Sequence, residues 1–80
     1  MKNIKLIEII VVTYFHENRG QIDENRLQQI LTESLNIEIG DVKLEGDILK
    51  VYYGPKLPKR KKIIFEIHGD KIKHRKKENG

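Results

Sequence analysis

The chain contains no cysteine and no tryptophan, and only two prolines and five aromatic residues in 80 positions. Without cysteine it has neither disulfides nor a thiolate-bound zinc or iron–sulfur centre. A domain this short must then draw its stability from packing, a partner or self-association. The absence of cysteine also accords with a reducing cytosol, so a cytoplasmic protein is expected. At 6% of the residues, aromatics are too few for the multi-aromatic platform of a dedicated single-strand binder. Long apolar runs are missing as well. In MKNIKLIEIIVVTYF two lysines precede an apolar stretch, but Glu8 interrupts it and the run from Ile9 to Val12 is short. No small-residue cleavage site follows. The segment reads as neither a secretory signal nor the roughly 20-residue span that a membrane requires.

What the sequence does have is charge, unevenly placed. Residues 1–40 carry four basic and six acidic side chains, net −2, whereas residues 41–80 carry twelve and six, net +6. Ten of the twelve basic residues in the second half lie in two runs, Lys56 to Lys62 and Lys71 to Lys77, which bracket the segment Ile63-Ile64-Phe65-Glu66-Ile67. Such an excess attracts phosphate-rich surfaces over a Debye length of about 8 Å at physiological salt. The competing interpretation is a solvated surface, since Lys and Glu enrichment also suits a heat-adapted source.

Residues 4–15 are rich in β-branched and aromatic residues, which favours a strand, yet Ile4, Leu6, Ile7, Ile10, Val11, Tyr14 and Phe15 share one broad face at helical spacing. Only Ile9 and Val12 intrude on the polar face. Strand alternation fails more often, so the spacing predicts a helix. Leu27, Ile30, Leu31 and Leu35 predict a second helix over residues 24–35, with Asp23 as N-cap, Glu24 in its first turn, and Ile22 and Leu27 positioned as a hydrophobic staple. Gly20 punctuates the turn between the two helices.

From Asp41 the apolar period becomes two, and two Gly-Asp dipeptides predict hairpins, residues 42–45 with 48–53 and residues 63–68 with 71–75. With Gly69 and Asp70 at the centre of the second turn, Ile67 opposes Ile72, Glu66 opposes Lys73, and Phe65 opposes His74. Val42, Leu44, Leu49, Val51, Tyr53, Ile63, Phe65, Ile67 and Ile72 then turn inward. Lys43, Lys50, Tyr52, Glu66, His68, Lys71, Lys73 and Arg75 turn outward. The expected fold is a single α+β domain over residues 1–77, with two helices on one face of a four-stranded antiparallel meander (α-α-β-β-β-β) and a disordered end at 78–80. The alternative is β-α-β-β-β-β, in which residues 4–15 form a strand.

The connection over residues 54–62 holds both prolines and five cations, which predicts a mobile basic loop with its charges projected outward. The alternative role for these residues is to guard the adjoining strand ends against edge pairing. Lys56, Lys59, Arg60, Lys61, Lys62, Lys73, Arg75 and Lys76 are the expected nucleic-acid contacts, made chiefly to phosphates of DNA or RNA. Tyr52 is expected on the outer face beside Lys43 and Lys50. There it either stacks on a splayed base or packs across the strands.

His16, His68 and His74 show no recurrent metal-ligand spacing, and His68 and His74 fall on opposite faces. No metal and no small-molecule cofactor is expected. Glu66, His68, Lys73 and Arg75 share a face, and in size, charge and sheet content the chain is similar to small ribonuclease toxins. That resemblance implies a His or Glu for proton transfer and cations for the developing phosphorane. Tyr14 to Asp23, joining two helices, resembles the opening of winged-helix domains, but the chain after Asn36 leaves no room for a recognition helix. The primary expectation is therefore a non-enzymatic nucleic-acid-binding protein or regulator. Its rival is a protein-interaction module (subunit, inhibitor or adaptor) that meets an acidic partner or forms a homodimer through Ile9 and Val12.

Overall fold

The structure, a computed structural model, describes residues 3–75. Two helices, α1 (Asn3–Glu17) and α2 (Glu24–Ser34), precede four strands, β1 (Ile39–Glu45), β2 (Ile48–Tyr53), β3 (Lys61–His68) and β4 (Lys71–His74). The strands form one antiparallel sheet in the order β1-β2-β3-β4, and the helices cover one of its faces, α2 beside β1 and α1 beside β4. This is the α-α-β-β-β-β arrangement expected from the periodicity, and residues 3–17 are helical despite their β-branched content. Burial decides the matter: Ile7, Val11, Tyr14 and Phe15 of one helical face enter the core, which outweighs a propensity difference of a few tenths of a kcal/mol per residue.

Helix α1 ends in a Schellman turn. The Gly20 amide donates to the Phe15 carbonyl at 2.8 Å and the Arg19 amide to the His16 carbonyl at 3.2 Å. The left-handed position next after the cap, where glycine is usual, is held by Arg19 at φ 55°, with Gly20 following at φ 81°. Asp23 then caps α2. Its Oδ1 accepts from the amides of Asn25 at 3.1 Å and Arg26 at 3.2 Å, and its own amide donates to the Tyr14 hydroxyl at 3.2 Å, tying the two helices together. Ile22 packs against the core as the staple requires.

Both hairpins turn on Gly-Asp. Gly46 (φ 61°) and Gly69 (φ 63°) hold the first central position with positive φ while the aspartates do not, which is the II′ pattern that matches strand twist. The register pairs Phe65 with His74, Glu66 with Lys73 and Ile67 with Ile72, and Val42 with Val51 and Leu44 with Leu49. Inward residues meet the helices in one cluster in which Leu27, Leu31, Leu49, Val51 and Phe65 are fully buried. Removing the Phe65 ring would cost about 3–5 kcal/mol, much of the stability of a domain this size.

Several boundaries differ from the sequence expectation: α1 runs two residues further at its C-terminal end, β4 stops at His74 rather than residue 75, and three others bear on the site. Strand β1 begins at Ile39 because a bulge adds one residue to it: Ile39 pairs with Tyr53 and Val42 with Val51, so Gly40 and Asp41 together face Tyr52. Strand β3 begins at Lys61, opposite Tyr53, which places Lys61 and Lys62 on a strand and shortens the basic loop to residues 54–60. Helix α2 closes at Ser34, with Leu35 extended as its cap. On the free edge of β1, Glu24 accepts from the Leu44 amide at 2.6 Å and Gln28 donates to the Gly40 carbonyl at 2.7 Å. Helix α2 thereby occupies groups that another strand would otherwise seek. No described helix is long and apolar enough to cross a membrane.

Candidate nucleic-acid interface

The sheet face away from the helices is built in cross-strand rows. Alternation from the buried register puts Tyr52 beside Lys62, then Lys43, Lys50 and Ile64, then Glu45, Ile48, Glu66 and Lys73, and finally His68 beside Lys71. Two carboxylates on this face are already engaged. Glu45 accepts from Lys50 Nζ at 2.9 Å, and Glu66 accepts from Arg75 Nε at 2.6 Å and lies 3.3 Å from His68 Nε2. The Lys50 ammonium draws the Glu45 carboxyl below its usual range and is itself held above its own. Arg75, then His68, does the same to Glu66. Among the described residues no acidic side chain pairs with Lys43, Lys56, Lys59, Lys61, Lys62, Lys71 or Lys73. Of these, Lys43, Lys62, Lys71 and Lys73 stand on this face, while Lys61, opposite the buried Tyr53, alternates to the other side of the sheet. The face therefore presents cations that no carboxylate among the described residues pairs with directly.

The eight sequence-predicted contact residues separate into groups. Lys56 and Lys59 are exposed in the loop, and Lys61 and Lys62 are exposed at the start of β3. Lys73 is exposed on β4, and Arg75 follows it, bonded to Glu66. Lys76 lies outside the described residues, as does the end at 78–80. Arg60 turns back onto the fold: it donates through Nη1 to the Gly54 carbonyl and stands 3.9 Å from Glu38, leaving its side chain 22% exposed. A Cβ on Gly40 would come within 2.6 Å of Arg60 Cδ and Nε. Gly40 is thus the channel through which Arg60 crosses, and the loop is strapped at its C-terminal end rather than projected whole.

The strap and the bulge meet at one corner. Tyr52, Lys59, Arg60 and Lys62 line an open depression of about 480 Å³ there, with Lys62 Nζ 5.9 Å from the centre of the Tyr52 ring. Leu57, at the outer tip of the loop, is 80% exposed. A second open depression, about 580 Å³, lies at the other end of β3 between the interhelical turn and the second hairpin turn, lined by His16, Arg19, Asp70 and Lys71 among others.

Sequence reasoning placed Lys43 and Lys71 outward without counting them among the contacts, although the same alternation that nominated Lys73 applies to both. It missed the Arg60 strap, because Gly40 lay outside the strand that the periodicity predicted, and a glycine is a mark of a bulge or a close approach only once it is placed within a strand. The four residues of the ribonuclease comparison do come together, but Glu66, held ionised by Arg75 and His68, is a weaker proton acceptor than a free carboxylate. His74 faces inward, 3.8 Å from Glu8 and 5.7 Å from the Phe65 ring. Among the described residues no three His, Asp or Glu side chains are grouped to hold a metal ion. Comparison of the chain with protein-family models, with curated proteins and with solved structures finds no match.

Proposed function

We propose that the protein binds nucleic acid non-enzymatically, contacting phosphates through the outer sheet face and the 54–60 loop. The observation that carries this reading is the set of lysines on and beside the uncovered face that have no acidic partner among the described residues. Each neutralised phosphate releases condensed counterions, so the affinity of such a surface falls with salt. Lys56, Lys59, Lys62 and Lys73 make the contacts, Lys61 adds charge from the other side of β3, Lys76 extends them, Arg75 shares its charge with Glu66, and Arg60 positions the loop. Fluorescence anisotropy with labelled DNA and RNA tests the reading. With about four phosphate contacts, the log–log salt slope on duplex is roughly −3 to −4. Changing Lys56, Lys59, Lys61 and Lys62 to Ser flattens it. Absence of binding even at low salt overturns the proposal.

A second reading rests on Ile9, which is 53% exposed on the face of α1 away from the sheet, beside an open groove lined by Ile10, Thr13, Ile30 and Ser34. In this reading a second copy of the chain covers that face. Lys5 and Glu17 lie toward opposite ends of α1 on either side of Ile9, so an antiparallel two-fold contact brings unlike charges toward each other at both ends while apolar residues meet between them. Light scattering of Ile9→Lys is the test. The wild type is then a dimer and the variant a monomer, whereas a dimer that survives the substitution excludes this face.

A further inference from the structure

We infer that the corner formed by Tyr52, Lys59, Arg60 and Lys62 is a nucleotide-stacking site, which makes single-stranded nucleic acid the polymer this surface favours. The inference rests on the phosphate-binding reading above and adds a base contact to it. Tyr14, Phe15, Tyr53 and Phe65 are all buried, which leaves Tyr52 as the one tyrosine or phenylalanine ring on the outer face. The bulge at Gly40 and Asp41 stands directly opposite it on β1 and bends that strand beside the ring. Beyond the ring the depression is walled by three cations, and among the described residues no carboxylate lines it. The guanidinium wall is fixed, because Arg60 is bonded to Gly54 and flanked by Glu38.

This arrangement separates the two parts of a nucleotide. An aromatic face accepts any base, since every base has a π-surface, while neighbouring cations take the phosphate. Lys62, already within cation–π reach of Tyr52, moves from the ring to the phosphate when the base arrives, and Lys59 approaches from the loop. A duplex keeps its bases stacked and paired and offers only phosphates to the corner. A single ring holds a single base, so the contact adds affinity for unpaired strands without reading their sequence.

The test compares a labelled single-stranded oligothymidylate with a duplex of equal length, using wild type, Tyr52→Ala and Tyr52→Phe. Tyr52→Ala weakens single-strand binding about 5- to 150-fold and leaves duplex affinity within about twofold, while Tyr52→Phe retains both. In wild type, single strands also quench tyrosine emission. Tyr52→Phe abolishes that change while still binding, a readout independent of any folding defect in Tyr52→Ala. Unchanged single-strand affinity in Tyr52→Ala, or equal loss on both polymers, overturns the stacking site and leaves the phosphate-binding reading standing. If wild type binds neither polymer at low salt, both fall.

Discussion

The Arg60 strap makes a quantitative prediction, because Gly40 and Arg60 are coupled by a contact that a single methyl group destroys. Arg60→Ala removes a charged donor from the Gly54 carbonyl. Such bonds contribute about 1.5–3 kcal/mol, and the partial exposure of Arg60 argues for the lower part of that range, with little from the 3.9 Å approach to the exposed Glu38. We expect Arg60→Ala to cost about 1–2 kcal/mol. Gly40→Ala sets a Cβ 2.6 Å from two atoms in the middle of the Arg60 side chain, so the clash cannot be relieved by swinging the tip alone and the strap is lost. Against this, alanine restricts the unfolded chain, which is worth about 0.4–1 kcal/mol. The net result is a destabilisation of about 0.5–1.5 kcal/mol in wild type. In the Arg60→Ala background nothing remains to clash, and the same substitution becomes stabilising by about 0.5 kcal/mol. A double-mutant cycle by urea unfolding, followed by far-ultraviolet circular dichroism because the chain has no tryptophan, should return a coupling of about 1–2 kcal/mol. Two changes that add to within about 0.5 kcal/mol would refute the strap.

Two further perturbations test other joints of the structure. Arg19→Gly relieves a left-handed backbone that costs a non-glycine residue about 1–2 kcal/mol but frees the unfolded chain by about 0.4–1 kcal/mol. Thermal melts should therefore show a net stabilisation of about 0.5–1 kcal/mol, and a lower melting temperature would contradict the Schellman assignment. Glu66 is held below its usual range by Arg75 and then His68. Its stabilising effect is thus fully present above the ordinary glutamate pKa of about 4.3 and is lost as pH falls through the lowered folded value. Between pH 6 and pH 3 wild type should lose more melting temperature than Glu66→Gln, and parallel losses would mean the pairing is absent in solution.

How much of this was legible in the sequence follows from how local each cause is. The Gly-Asp turns fix the registers of both hairpins, because the turn residues and the inward apolar residues agree on a single pairing. Asp23 identified the start of α2 through chemistry confined to the next three residues. Residues 3–17 were harder: their β-branched side chains and their helical spacing disagree, and only the sheet beneath them decides. The bulge and the strap were hidden because each depends on residues far apart in the chain, Gly40 meeting Arg60 across the sheet and opposing Tyr52. Charge counting therefore grouped Arg60 with its lysine neighbours, although its guanidinium is tied back to the Gly54 carbonyl while Lys59 and Lys62 line the same corner from the loop and β3. The alternation that found Lys73 also marked Lys43 and Lys71, but a run of charge drew attention away from lysines outside it or at its edge.

The most direct test of the account is to locate binding by amide chemical shifts during titration of the labelled protein with a single-stranded oligonucleotide at low salt. The account predicts shifts at Tyr52, Lys59, Lys62, Ile64 and Lys73, with the exposed face of α1 unmoved. Shifts centred on Ile9 and Thr13, or none at all, would contradict it.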